Sequence, residues 1–114
     1  MNGYEIYNKA SVRLGYKGNG RDEVSDSRLT GRILEFLNQI IIDLKLEPVN
    51  SLSENLIYSN DILETICCGI AMMMSLSEGD TNKNVIFTAL YNAKRMTALS
   101  KTDYIKDTLP VAEG

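Results

Sequence analysis

The chain has 114 residues, of which 44% are hydrophobic and 24% are charged, values typical of one globular domain. It contains no histidine, so the commonest general base and the commonest metal ligand are both missing. Because the sequence also lacks paired-carboxylate, phosphate-binding glycine and metal-ligand motifs, it predicts a protein without catalytic activity, cofactor or metal. No apolar run approaches the roughly 18 residues that cross a membrane, and no secretory signal is present, so we expect a cytoplasmic protein.

Charge is unevenly distributed along the chain, although the net charge is only −3. Residues 9–32 contain six basic and three acidic residues, residues 35–80 contain eight acids and one lysine, and residues 83–106 contain five basic residues and one aspartate. A sequence-specific nucleic-acid-binding protein is usually basic overall, which this chain is not. The blocks predict either solvated helix faces or oppositely charged surfaces that meet in an assembly.

Two helices are predicted in the first half of the chain. The first runs from Gly3 to Leu14, ends at Gly15 and is followed by a glycine-rich loop. The second begins near residues 25–27, with Asp26 or Ser27 as its N-cap, and is ended by Pro48. Apolar residues recur at helical spacing in both: Tyr4, Tyr7, Ala10 (or Ser11) and Leu14 in the first, and Leu29, Ile33, Phe36, Leu37, Ile40, Ile41 and Leu44 in the second.

The second half predicts a connector followed by an αα-hairpin. Residues 49–59 connect the second and third helices, and Leu52, Leu56 and Ile57 are expected to lie against the core. Ser59 or Asn60 caps the third helix, Gly79 suits the left-handed residue that ends it, and Asp80 can cap the fourth. The apolar positions are Ile62, Leu63, Ile66, Cys67, Ile70, Met73 and Met74 in the third helix, and Val85, Ile86, Ala89, Leu90 and Ala93 in the fourth. A short turn between two such helices makes them antiparallel neighbours.

These elements predict an all-α fold, a small four-helix bundle of residues 1–100 followed by a flexible C-terminal tail of residues 101–114. The apolar pattern fades after Leu99, and Pro110 limits any continuing helix. Cys67 and Cys68 are adjacent, and neighbouring side chains on a helix point about 100° apart, which disfavours a disulfide. We expect both to be small buried or half-buried residues.

Three segments carry a resemblance to a known family. They are residues 68–80, CGIAMMMSLSEGD; residues 84–95, NVIFTALYNAKR; and residues 6–16, IYNKASVRLGY. Residues 68–80 resemble the YGVAMLLALSEGD segment of the head–tail connector adaptor proteins of tailed bacteriophages. Residues 84–95 resemble the F…YNxKR helix of that family, and residues 6–16 resemble its opening iineAlrrLGy helix. The chain departs from that pattern at Cys67-Cys68, where an aromatic residue commonly precedes the glycine.

The resemblance implies a structural virion protein at the head–tail junction, present in the host cytoplasm during assembly. Such adaptors form a ring, commonly of twelve copies, beneath the portal protein. The ring extends the DNA channel without sequence-specific binding and contacts a tail or head-completion protein. The candidate subunit or portal contacts are Met72, Glu78, Asp80, Lys94, Arg95, Tyr104, Leu109 and Pro110.

For several residues of these segments, the sequence is also compatible with a purely structural role. Gly69 is either a close-packing position or a tolerated glycine. Glu78 and Asp80 also suit helix capping, and Lys94 and Arg95 suit a solvated face. Among residues 72–74, three consecutive methionines cannot all face inward, so one is expected at an edge, where it could contact a neighbour.

Other function classes also stay open. The main alternative is a small cytoplasmic helical module that binds one partner protein. An enzyme based on carboxylates would need acidic side chains with raised pKa values in a pocket. A nucleic-acid-binding protein would use the basic first segment and show a steep dependence of affinity on salt.

Overall fold

A computed structural model describes residues 1–16 and 27–108 of the chain, and within them it confirms the predicted all-α class. The helices are α1 (Gly3–Leu14), α2 (Ser27–Asp43), α3 (Asn60–Ser77) and α4 (Thr81–Thr108). Residues 17–20 of the predicted loop, and the proposed cap Asp26, lie outside the described residues. None of the described helices is long and apolar enough to span a bilayer.

Helix α3 is the centre of the fold, because it packs against each of the other three helices. Residues 65–71 are all buried, so the middle of α3 is covered on every side. Gly69 permits a close approach of α2, since a Cβ at this position would lie only 2.8 Å from Cδ1 of Ile40. The close-packing interpretation of Gly69 is therefore confirmed. Cys67 and Cys68 are free and buried, as predicted.

The core joins residues from all four helices and from the connector. The α2 stripe is largely confirmed, although Leu29 and Phe36 are only half-buried. In α1, Tyr4 is half-buried, while Ile6, which the predicted stripe omits, has no exposed surface. The buried apolar side chains are Ile6, Tyr7, Ala10, Leu14, Ile33, Leu37, Ile40, Ile41, Leu44, Leu52, Leu56, Ile66, Cys67, Cys68, Ile70, Ala71, Met74, Phe87, Tyr91 and Ala98.

Local signals account for most of the helix ends. Asn2 and Glu5 form a reciprocal capping box at the start of α1, and Gly15 ends that helix with φ of 74°. Ser59 caps α3, as predicted, by accepting a hydrogen bond from the Ile62 N–H. The predicted end of α2 at Pro48 is wrong. The chain leaves the helix after Asp43, because Lys45 adopts a left-handed conformation with φ of 63°.

The connector between α2 and α3 lies against the core through two of its three predicted contacts. Leu52 and Leu56 are buried, whereas Ile57 is 87% exposed, so the prediction for Ile57 is wrong. Successive side chains of an extended backbone point to opposite sides, and burial of Leu56 therefore turns Ile57 outward. The side-chain amide of Asn38 holds the connector by pairing with the backbone N–H and C=O of Val49, at 2.8 and 2.9 Å.

Helix α4 differs from its prediction in length and in rotation. Its backbone stays helical to Thr108, beyond the predicted boundary at residue 100, while residues 109–114 lie outside the described part. The division into a domain and a tail stays a prediction. The predicted buried stripe is wrong, because Val85, Ile86, Ala89, Leu90 and Ala93 are exposed. The core instead receives the side of α4 that carries Phe87, Tyr91 and Ala98.

Candidate functional site

One side of α4 is fixed to α2 by a polar cluster around Asp43. The Tyr91 hydroxyl and the Arg95 Nε each donate a hydrogen bond to Asp43 Oδ2 at 2.6 Å, and Arg95 Nη2 donates to Oδ1 at 3.3 Å. Burial alone would raise the pKa of Asp43, but the hydrogen bonds from Arg95 and Tyr91 outweigh it and lower that pKa. Arg95, a predicted interface residue, is thus used inside its own chain.

The turn between α3 and α4 is joined to the end of α1. Asp80 accepts hydrogen bonds from the Lys83 N–H and from the Tyr16 hydroxyl, both at 3.3 Å, so its predicted capping role is confirmed. Lys83 Nζ donates to the Leu14 carbonyl oxygen and lies 5.3 Å from the centroid of the Tyr16 ring. Gly79 has φ of 71°, as expected of a residue that ends a helix. The Asp80 side chain is therefore a structural element of this corner.

A second ion pair joins α1 to α3. Arg13 Nη2 donates to Glu64 Oε1 at 2.8 Å, and Arg13 Nη1 also contacts Glu64 Oε2. These hydrogen bonds lower the pKa of Glu64. Together with Arg95 and Asp43, this pair shows that side chains of the basic and acidic blocks meet within one chain. The sequence-based expectations of solvated faces or contacts between chains omitted that arrangement.

An open groove of about 330 Å³ lies between the N-terminal half of α3 and α4. Lys94 is half-buried at this groove and contributes a positive charge that helps to lower the pKa of Glu64. The groove is lined by Asp61, Ile62, Glu64, Thr65, Ala93, Lys94, Thr97 and Ala98. Its lining combines apolar side chains with both signs of charge.

The solvent-facing side of α4 is free of charged residues between residues 81 and 100. We call this surface the uncharged α4 face. The three charged residues of this stretch, Lys83, Lys94 and Arg95, are all half-buried on other sides of the helix. The exposed residues of the face are Thr81, Asn82, Val85, Ile86, Ala89, Leu90, Asn92, Ala93, Met96, Thr97 and Ser100. Its large apolar side chains are 42–72% exposed, and a contiguous exposed apolar patch marks an interaction surface.

The predicted interface residues whose side chains are described lie on α3, on the turn after it and in the middle of α4, and their role in an interface stays a prediction. Met72 is half-buried, and its carbonyl oxygen accepts a hydrogen bond from Asn84 Nδ2 at 2.9 Å. Glu78 is exposed at the end of α3. The backbone of Tyr104 belongs to α4, but its side chain lies outside the described part of the chain. Leu109 and Pro110 lie entirely outside the described part.

Sequence reasoning missed the uncharged α4 face because it assigned the same residues to the core. The signal that could have found the face is a competing apolar stripe at helical spacing. Phe87 and Tyr91 are four residues apart and Ala98 follows seven residues later, which aligns them on the opposite side of the helix. Two apolar stripes on one helix indicate that one of them is available to a partner.

A metal site and a reactive thiol each place requirements on the described residues. No three histidine, cysteine, aspartate or glutamate side chains among them are grouped so as to hold a metal ion. Burial raises the pKa of Cys67 to about 11 and also raises that of Cys68, so both thiols stay protonated at neutral pH. No protein-family model, no curated protein and no solved structure matches the chain.

Proposed function

We propose that the chain is a subunit of a head–tail connector ring of a tailed bacteriophage. The sequence resemblance supports this proposal, and its three segments lie in α1, α3 and α4, which form one packed unit. Tyr16 and Asp80, the last residues of two of those segments, are hydrogen-bonded to each other. Some of the resembling residues therefore hold the fold together, while others, among them Val85, Ile86 and Leu90, lie on its exposed surface.

The uncharged α4 face is the observation that carries the proposal. Subunits of a closed ring join through two different patches, so each subunit needs a lateral surface that its neighbour covers. The face supplies one such surface, with Val85, Ile86, Leu90 and Met96 as exposed apolar contacts. In the proposed ring, the neighbouring subunit covers this face, and the portal protein and a tail or head-completion protein bind above and below.

The charge of the chain suits a channel that DNA must pass. DNA is a polyanion, and proteins that bind it tightly neutralise phosphates with clustered lysine and arginine. The net charge here is −3, and Arg13 and Arg95 are paired with acidic residues of the same chain. A ring of such subunits would let DNA pass without holding it.

The proposal requires a portal protein encoded near the gene of this chain, and assembly with that protein tests it. We expect negative-stain microscopy and light scattering to show a ring, or a layer of subunits on the portal ring. Leu90→Glu should abolish this layer, whereas Val12→Glu, which changes a 78% exposed apolar residue of α1, should leave it intact. A protein that stays monomeric and does not bind the portal would refute the proposal.

The groove beside α4 favours a second candidate, a module that binds one helical partner. An amphipathic helix could lie on the uncharged α4 face and insert a side chain between Ile62 and Ala98. That function predicts a complex of fixed one-to-one stoichiometry and no ring with the portal. The same mixing experiment, with the mass of each complex measured, separates the two candidates.

A further inference from the structure

We propose that the uncharged α4 face pairs with the same face of a second copy in the free protein, with the two α4 helices antiparallel about a two-fold axis. This inference concerns the protein before any larger assembly and does not depend on the ring. The two-fold axis makes the contact self-complementary, since each copy contributes the same residues.

The first support is the distribution of side-chain size along the face. Its N-terminal half carries three large apolar residues, Val85, Ile86 and Leu90, while its C-terminal half carries only Met96 beside the small residues Ala93 and Thr97, which border the groove. An antiparallel pair centred near residue 91 places Val85 of each helix opposite Thr97 and the groove of the other, and Ile86 opposite the flexible side chain of Met96. The same register brings Ala89 opposite Ala93 of the second copy, and small residues at the centre let two helices approach closely.

The second support is the absence of charge. A charged group buried against this face would lose its hydration without gaining a counter-ion, so the matching surface must also be uncharged. Elsewhere in the described residues, the exposed large apolar side chains stand singly on different elements: Val12 on α1, Ile42 on α2, Ile57 on the connector and Leu76 on α3. The uncharged α4 face is itself a surface of this kind, because its four large apolar side chains lie on one uncharged side of a single helix.

The size of the face sets the strength of the pair. Residues 81–100 of an α-helix extend over about 30 Å, and a helix is roughly 10 Å wide. The contact therefore covers on the order of 300 Å² per copy, well below the roughly 800 Å² per partner of a stable interface. We expect a reversible pair that forms at high micromolar concentration. A neighbour held on a portal ring through several contacts at once can displace such a weak pair.

Cysteine crosslinking between two differently tagged chains tests the orientation. One chain carries Ala89→Cys and the other Ala93→Cys, and the native Cys67 and Cys68 do not compete because they are buried. Antiparallel pairing predicts that mixed 89–93 disulfides exceed both 89–89 and 93–93 disulfides several-fold. Val12→Cys, on an exposed site of α1, is the control and should give only background crosslinking. An excess of 89–89 disulfides, or a random distribution, would overturn the proposal.

Sedimentation equilibrium tests the pair itself. The mean mass of the unmodified protein should rise from one chain toward two with concentration, and Ala89→Glu should raise the dissociation constant at least about tenfold. Val12→Glu should behave like the unmodified protein, and circular dichroism should confirm that both variants are folded. A protein that stays monomeric at millimolar concentration refutes the pair. If that monomeric protein still forms a layer on the portal, the ring proposal is retained and only the pair is refuted. If the protein forms the pair but does not bind the portal, the pair is retained and the ring proposal is refuted.

Discussion

Replacement of Gly69 by alanine tests whether the contact between α2 and α3 limits what side chain this position can hold. The added methyl group would lie 2.8, 2.9 and 3.0 Å from Cδ1, Cγ2 and Cγ1 of Ile40. Ordinary carbon–carbon contacts are about 3.5–4.0 Å. Rotation of Ile40 cannot relieve all three contacts, because a β-branched side chain in a helix has one strongly preferred χ1 rotamer.

Two effects of opposite sign decide the magnitude. Overpacking a filled core costs about 1–3 kcal/mol. Replacement of a glycine by alanine inside a helix raises the free energy of unfolding by up to about 1 kcal/mol. We therefore expect Gly69→Ala to lower the free energy of unfolding by about 1–2 kcal/mol. The slope of urea unfolding is typically about 1–3 kcal/mol per molar, and at a middle value of about 2 kcal/mol per molar the midpoint should fall by roughly 0.5–1 M.

Urea unfolding followed by circular dichroism measures this change, and Gly31→Ala provides the matched control. A Cβ at Gly31 would meet no heavy atom within 4 Å, so this variant should gain up to about 1 kcal/mol. Ile40→Val removes the closest atom, Cδ1, and should reduce the cost of Gly69→Ala when both changes are combined. If Gly69→Ala stabilises the protein as much as Gly31→Ala does, the reasoning about close packing is refuted.

Three further predictions concern the polar contacts and the thiols. The lowered pKa of Glu64 means that its pair with Arg13 stabilises the protein above about pH 4.3 and that this contribution is lost as the pH falls through the lower folded-state pKa. Glu64→Gln should therefore cost about 1 kcal/mol at pH 7 in urea unfolding, and an equal cost at pH 2.5 would contradict this cause. Asp80→Ala removes a helix cap and should cost about 1–2 kcal/mol in the same assay, whereas Glu78→Ala, at an exposed neighbour, should change stability by less than about 0.5 kcal/mol. Cys67 should react with a thiol reagent at pH 8 only after urea is added, and rapid reaction of the native protein would show that the site opens.

Local signals in the sequence were sufficient for the fold class and for most helix ends. Ser59, Gly79 and Asp80 act through hydrogen bonds and backbone conformations that involve only their own neighbours, and each has its predicted role. The α2 stripe was also predictable, because its apolar residues form one uninterrupted side of the helix. The end of α2 was not, since Lys45 takes a left-handed conformation that glycine or asparagine usually adopts.

Hydropathy alone could not decide between the two apolar stripes of α4, because the buried side of the helix also includes polar residues. Lys83, Asn84 and Arg95 lie toward the rest of the fold and would be assigned to solvent on any hydropathy scale. Their hydrogen-bond partners are the Leu14 carbonyl, the Met72 carbonyl and the Asp43 carboxylate, which lie 12 to 69 residues away in the chain. Only the tertiary structure supplies those partners, and the more apolar stripe is left outside as the candidate site.

The central position of α3 has a consequence for how the chain can be divided. Each of the other helices contacts α3, and its residues 65–71 are covered on all sides. Loss of α1 or of the end of α4 would uncover one side of α3 and leave its other partners in place. A fragment without α3 would instead lose the common surface that holds its remaining helices together. The last amides to exchange with solvent should therefore be those of residues 65–71, because they open only when the whole fold does.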